Sequence, residues 1–184
     1  MEKVVVGVPK PFIRLRAEIF FFLIRSFLDQ DFNLKEFSEG ARQAISFVSR
    51  LLSQRKFDEL ENLVAKEILT DLKEKCSVLS DNYRKALLVE SDEIKGLSPW
   101  NVNVQYDNGR KFVNILMYFW YVKDMDLLAE DTSAVPLFQV VYGNHNIMDT
   151  QRILIATYEF TREFTQGVKP DWIITHIQHS KVLE

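Results

Sequence analysis

Residues 102–122, VNVQYDNGRKFVNILMYFWYV, decide the fold of this chain. The pair Asn108-Gly109 separates two strand-like segments, and an Asn-Gly pair in this setting strongly favours a tight β-hairpin turn. The second arm, residues 111–122, is apolar on both faces. That pattern predicts a strand in the middle of a sheet, covered on each side.

Other segments around this hairpin also have the character of strands, and they lie at residues 87–94, 137–142, 152–164 and 170–178. The alternation is clearest in 152–164, where Leu154, Ala156, Tyr158 and Phe160 share one face. Pro136 and Pro170 stand where two of these strands begin, a position in which a missing N–H does least harm.

Upstream of the hairpin, apolar residues recur with helical spacing, which predicts helices at 11–29, 33–54, 57–65 and 67–87, the last broken around Ser80-Asp81. Asn33 can cap the second helix, with Glu36 in the capping-box position. Val48, Leu51 and Trp120 are expected in the core.

Helices followed by strands predict an α+β fold, with three or four N-terminal helices packed on one curved antiparallel sheet. Residues 1–10 are expected to form an N-terminal extension and residues 11–184 a single domain. An acidic excursion, residues 123–135, interrupts the strands.

Composition narrows the possible functions. The formal charge of −3 over 184 residues gives little support for nucleic-acid binding by the whole molecule. Cys76 is the only cysteine, which suits a reducing compartment such as the cytosol or the mitochondrial matrix. The apolar run 19–24 is far shorter than the roughly 20 residues needed to span a bilayer. The first residues lack the features of a signal or transit peptide, so any transit peptide of a precursor is expected to be gone.

The first helix allows two interpretations. Its apolar residues exceed what a small core needs, and basic residues stand at both ends, as in helices that bind anionic lipid. On this interpretation the membrane-contact candidates are Arg14, Arg16, Phe20, Phe21, Ile24 and Arg25. The alternative is an ordinary core helix.

Residues with catalytic or metal-binding chemistry do not form a recognisable set. His176 and His179 fall on opposite faces of a strand, and His145 has no second ligand nearby in sequence. Lys73 and Lys75 could lower the pKa of Cys76, although a partly buried helix cysteine is the simpler interpretation. No catalytic residue, metal or cofactor is therefore predicted. Tyr106, Tyr118 and Trp120 are candidates for lining a pocket, with a core stripe as the alternative.

Residues 31–52, DFNLKEFSEGARQAISFVSRLL, followed by Phe57-Asp58-Glu59-Leu60, resemble the C-terminal domain of the import-motor anchor of the mitochondrial inner-membrane translocase. An inner-membrane ribosome receptor and a mitoribosomal protein share that fold. The closing PDWIITHIQHSKVLE and the 96–122 hairpin are similar to the branch of this family that interacts with the matrix AAA protease. The resemblance covers about residues 11–180 and departs from the import anchor at residues 123–135.

This resemblance implies a cone-shaped fold like that of nuclear transport factor two, in a matrix protein lying peripherally on the inner membrane. It also implies binding to subunits of the matrix AAA protease. A further implied role is to assist the biogenesis of newly imported inner-membrane proteins, including the regulatory subunit of the calcium uniporter.

Three classes of function follow. The leading hypothesis is a non-catalytic adaptor or chaperone-like domain. The second is a small-ligand binder, or an enzyme of isomerase or hydrolase type, that uses the cone pocket. The third is a mitoribosome-associated factor, which predicts a basic surface and salt-dependent RNA binding, although the pI of about 5.7 weighs against it.

Overall fold

The computed structural model describes residues 11–124 and 151–179, with side chains from residue 15 onward in the first helix. The helices are α1 (Pro11–Phe27), α2 (Leu34–Ser53), α3 (Lys66–Val78) and α4 (Asp81–Leu87), with a 3-10 turn at Phe57–Leu60. The strands are β1 (Ile94–Asp107), β2 (Arg110–Asp124), β3 (Gln151–Glu163) and β4 (Trp172–His179). The predicted α+β class, with helices preceding an antiparallel sheet, is confirmed.

Within the described ranges the sheet is a meander, in the order β1-β2-β3-β4 with every neighbouring pair antiparallel. The β1–β2 hairpin turns through Asn108 and Gly109, whose φ angles are 48° and 82°. Positive φ at both central residues is what a type I′ turn requires, and this turn matches the twist of paired strands. The predicted hairpin is therefore confirmed, and β2 lies between two partners.

The segment before the hairpin differs from the prediction. Residues 87–94 do not form a separate strand, because α4 runs to Leu87 and a turn precedes β1. Strand β1 is continuous from Ile94 through the predicted 102–106 strand, with irregularities between Ile94 and Gly96 and between Pro99 and Asn101. Bulges of this kind interrupt the alternation that marks a strand in sequence.

The helical predictions hold with one exception. Ser80 accepts a hydrogen bond from the backbone N–H of Tyr83 and caps α4, so the predicted break at this position is confirmed. Asn33 caps α2 in the same way, accepting from the N–H groups of Lys35 and Glu36. The segment predicted as a helix at 57–65 is instead a 3-10 turn that ends at Leu60.

One face of β2 forms the centre of the core, with side chains that have no exposed surface: Val113, Ile115, Met117, Phe119 and Tyr121. Val48 and Leu51 of α2 are also buried, as predicted, at 1% and 3% exposure. Trp120 is only half-buried, so its predicted burial was wrong. It alternates with Phe119 and Tyr121, and its ring lies on the other face of the sheet, over Gly96 of β1.

A fully buried histidine closes the far end of this core. His179 Nε2 lies 2.9 Å from the hydroxyl of Tyr158, and its Nδ1 lies 3.4 Å from the hydroxyl of Tyr121. Burial lowers the pKa of His179 to about 3. The imidazole is therefore neutral near pH 7, with one ring nitrogen as donor and the other as acceptor.

The predicted strand at 137–142, the loop residue His145, Pro136 and most of the acidic excursion lie outside the described residues.

Leu51→Ala should lower the free energy of unfolding by about 2–5 kcal/mol, because it removes a buried side chain from the α2 core face. Chemical denaturation measures this loss. Val78→Ala is the control, since Val78 is 84% exposed and should change stability by less than about 0.5 kcal/mol. A loss below about 1 kcal/mol for Leu51→Ala would contradict the assigned packing of α2.

Acid should destabilise the fold through His179. The unfolded chain protonates this side chain near its ordinary pKa of 6.5, whereas the folded chain does so only near 3. Stability should therefore fall as pH drops through this window, by up to about 1.4 kcal/mol per pH unit. Unfolding curves of wild type and His179→Gln measured across the window should differ in slope, with the variant less steep. His176→Gln, at an exposed position of the same strand, should follow the wild type, and equal slopes for all three proteins would refute the assignment.

Candidate functional site

Helix α1 is apolar on two opposite faces. One face packs into the core through Ala17, Phe21 and Ile24, which are at most 5% exposed. At about 100° per residue the other face lies on the far side of the helix. It consists of large hydrophobic side chains between 37% and 77% exposed, here called the α1 stripe: Leu15, Ile19, Phe22, Leu23 and Phe27. A helix that is apolar on both sides has more hydrophobic surface than its own fold uses.

The exposure of the α1 side chains shows that part of the predicted membrane-contact set was wrong. Phe21 and Ile24 are 3% and 0% exposed, so their prediction as contact residues was wrong. The ring of Phe21 stacks on Phe32, with centroids 5.8 Å apart. Phe20 is half-buried, and the guanidinium of Arg16 lies 5.6 Å from its ring centroid. Phe21 and Ile24 are buried because they follow Ala17 at intervals of four and three positions, and residues at this spacing share one face of a helix.

Arg16 and Arg25 are exposed, and so is Glu18, which lies near Phe22 and Arg25. The side chain of Arg14 is not among those that the structure describes. Of the helices in the described ranges, none combines the length and the hydropathy that crossing a bilayer demands. The arrangement is therefore an exposed apolar band with two guanidinium groups and one carboxylate near it.

A second apolar surface is a groove of about 430 Å³ between α2, the turn after α1, and the ends of β3 and β4. We call it the α2–β4 groove. Its apolar lining includes Phe32, Phe37, Ala44, Phe47, Leu63, Phe160, Trp172 and Ile174.

Aromatic contacts fix the walls of the α2–β4 groove. Phe37 of α2 lies 4.9 Å from Trp172 of β4 and 5.6 Å from Phe160 of β3, measured between ring centroids. Phe32 lies 5.9 Å from Phe37. Because these rings come from the turn, the second helix and the last two strands, the groove exists only in the assembled fold.

Charged side chains line the rim of this groove. Arg162 of β3 donates to Asp29 at 3.1 Å, and its guanidinium lies 4.4 Å from the ring centroid of Phe164. The Nε atom of Arg162 is buried, with no hydrogen-bond partner in the described part of the chain. Asp31 and Glu36 are exposed. The lining thus holds three carboxylates and one guanidinium, and its net charge is negative.

Of the predicted pocket residues, the structure brings two together. The ring centroids of Tyr118 and Trp120 lie 6.4 Å apart on the outer face of the sheet, and the tilted ring of Trp100 lies 4.6 Å from that of Tyr118. Tyr106 is 70% exposed beside the hairpin turn, paired with Lys111, so its inclusion was wrong. None of these aromatic residues lines the α2–β4 groove. Trp100 was not predicted to join these residues, because the register irregularity between Pro99 and Asn101 interrupts the alternation that assigns strand residues to a face.

The candidate reactive groups are held in inert settings. Cys76 is fully buried, and this burial raises the pKa of its thiol to about 11, opposite to the effect expected from the nearby lysines. His176 is exposed and His179 is buried, which confirms that they face opposite ways. Across residues 11–124 and 151–179 there is no group of three or more His, Cys, Asp or Glu residues that could hold a metal ion.

The fold and these surfaces define an α+β domain whose helices pack on an antiparallel meander and which presents two apolar surfaces of different charge. No family model matches the chain.

Curated relatives match nearly the whole chain. The chain is 51% identical over 184 residues to the m-AAA protease-interacting protein 1, mitochondrial, of Homo sapiens, and 50% identical over 182 residues to the protein of that name from Mus musculus. These matches include 100% and 98% of this chain, which spans 63% and 62% of the relatives' lengths. The resemblance to the protease-interacting branch, predicted from residues 96–122 and 170–184, is confirmed: the chain is homologous, over its own length, to the mitochondrial m-AAA protease-interacting proteins.

Proposed function

We propose that this chain is a non-catalytic, chaperone-like adaptor that binds the matrix AAA protease at the matrix face of the mitochondrial inner membrane. The names of its relatives state both the interaction with this protease and the mitochondrial location. The structural observation that carries the proposal is the α1 stripe, a large apolar surface that the fold of the described residues leaves exposed.

The α1 stripe suits a membrane surface better than a random apolar patch would. Each buried CH₂ group contributes about 0.8 kcal/mol on leaving water, and Ile19, Phe22 and Phe27 are more than half exposed. Arg16 and Arg25 stand where lipid phosphates would lie, and each is worth about 1 kcal/mol at an anionic surface. Together these contributions give weak and reversible attachment.

The inward face of α1 makes this attachment a property of the whole domain. Phe21 and Ile24 are locked into the core, so the helix lies flat along the body of the protein. A membrane bound to the α1 stripe would hold the domain in one orientation. The protease and its newly imported substrates would then approach from the remaining sides.

The proposal extends to the biogenesis of newly imported inner-membrane proteins, among them the regulatory subunit of the calcium uniporter. Such chains carry apolar segments that need cover before insertion. An adaptor at the membrane with apolar surfaces of its own can supply that cover.

The alternative function is a ligand-binding or catalytic domain that uses the cone-type pocket. The α2–β4 groove favours it, because about 430 Å³ falls within the usual range for small-molecule sites. Turnover of a small molecule, abolished by one substitution in the groove, would establish this alternative. Salt-dependent binding to ribosomal RNA would instead establish the mitoribosome-associated role.

Flotation with liposomes tests the attachment. Wild-type protein should float with cardiolipin-containing vesicles and stay behind with purely zwitterionic ones, and added salt should release it. Arg16→Glu combined with Arg25→Glu should weaken binding to the anionic vesicles by at least about tenfold. Lys66→Glu combined with Lys85→Glu makes the same change in charge at exposed positions elsewhere and should bind like the wild type. Equal flotation of all three proteins, or none by any, would show that α1 is not the membrane contact.

Capture of the protease tests the partner. The tagged chain, purified from mitochondria in mild detergent, should retain subunits of the matrix AAA protease. A variant with Ile19→Ser and Phe22→Ser alters only exposed positions, so it should lose vesicle binding and still capture the protease in detergent. Absence of the protease from the wild-type capture would sink the adaptor proposal, whereas loss of capture by the variant alone would assign α1 to the protease interface.

A further inference from the structure

We infer that the α2–β4 groove binds a short apolar peptide segment that carries positive charge. This surface shares no lining residue with the α1 stripe. The inference rests on the proposed function only in that an adaptor needs a place to hold its client chain.

The first argument is the open apolar surface. Phe47 is 46% exposed at the mouth of the groove, and Trp172 and Phe37 are half-buried along its walls. Aromatic side chains that are only partly covered gain most when another apolar group removes them from water. The walls come from α2, β3 and β4 and are held together by ring contacts, so the surface is formed before an occupant arrives.

The second argument is charge. The rim carries Asp31 and Glu36, which are exposed and make no ion pair among the described residues. The remaining pair, Asp29 with Arg162, neutralises itself at 3.1 Å. An acidic rim around an apolar groove attracts a cationic occupant and repels an anionic one. Fatty acids and other apolar anions are therefore disfavoured, and a peptide with lysine or arginine beside apolar residues is favoured.

The third argument is Gly40, near the middle of α2. Glycine within a helix costs about 0.5–1 kcal/mol relative to alanine. A Cβ added at Gly40 would have no described atom within 4 Å, apart from the local backbone, so close packing does not require glycine there. Gly40 lines the groove. A larger side chain at this position would project into the space that an occupant needs, and this accounts for a residue that the helix itself does not favour.

Fluorescence anisotropy with labelled peptides tests the inference on the purified protein, without protease or vesicles. The probe is a peptide with leucines and lysines at helical spacing. Its matched controls replace every lysine by glutamate, or every leucine by serine. The leucine–lysine peptide should bind, and each control should bind at least about tenfold more weakly. Equal binding of the glutamate peptide would overturn the charge argument, and equal binding of the serine peptide would reduce the effect to simple charge attraction.

Substitutions in the groove locate the site. Gly40→Leu should fold at least as stably as the wild type, because leucine is the better helix former and has room, yet it should reduce peptide binding by at least about tenfold. Gly40→Ala should gain stability and keep most of the binding. A Gly40→Leu protein that binds the peptide normally would refute the location.

Charge reversals complete the test. Asp31→Lys combined with Glu36→Lys should weaken binding of the leucine–lysine peptide by about tenfold and strengthen binding of the glutamate peptide. Glu61→Lys combined with Glu74→Lys alters net charge equally at exposed positions outside the groove and should behave like the wild type. Equal effects of both pairs would overturn the rim assignment. Since none of these measurements involves α1, a failure here leaves the proposed adaptor function standing, and lost protease capture leaves the groove result intact.

Discussion

The structure depends on the inner face of strand β2. Five alternating side chains from Val113 to Tyr121 are completely buried, and they can be so only because β2 has a hydrogen-bonded partner on each side and helices over this face. A shift of one residue in the pairing would turn all five toward the outside. The type I′ turn at Asn108-Gly109 prevents that shift, since a two-residue loop allows a single register. The helices then have one surface on which to pack, and the positions of both α1 and α2 follow from it.

Besides this core, the molecule has two exposed apolar surfaces whose neighbouring charges differ in net sign. Near the α1 stripe lie Arg16, Arg25 and the single carboxylate of Glu18, whereas the α2–β4 groove is bordered by Asp31 and Glu36. The formal charge of −3 describes neither surface. Separation of charge at this scale lets one small domain meet an anionic partner and a cationic partner at the same time. Adaptors need such separation, because two ligands that compete for one surface cannot be brought together.

Much of this architecture could be predicted from the sequence, for reasons that differ between elements. The hairpin and the alternation of β3 follow from local rules that no tertiary contact overrides, and the caps at Asn33 and Ser80 mark their helices directly. The inward face of α1 could not be predicted, because a helix with apolar residues on all sides contains no information about which side is buried. The long β1 was missed because its irregularities break the period on which the prediction relied. The α2–β4 groove was also beyond reach, since Phe37, Phe160 and Trp172 meet only through tertiary packing.

The last strand closes the groove through a contact that spans most of the chain. Ile174 of β4 exchanges backbone hydrogen bonds with the segment after the 3-10 turn, accepting from Ala65 at 2.9 Å and donating to Leu63 at 2.8 Å. A polypeptide that arrives at its site of folding amino end first exposes α1 early, while the wall formed by Trp172 and Ile174 arrives late. Contact through α1 is thus possible while the rest of the chain is still arriving. The groove, in contrast, is complete only after β4 has paired and Ile174 has bonded to Leu63 and Ala65.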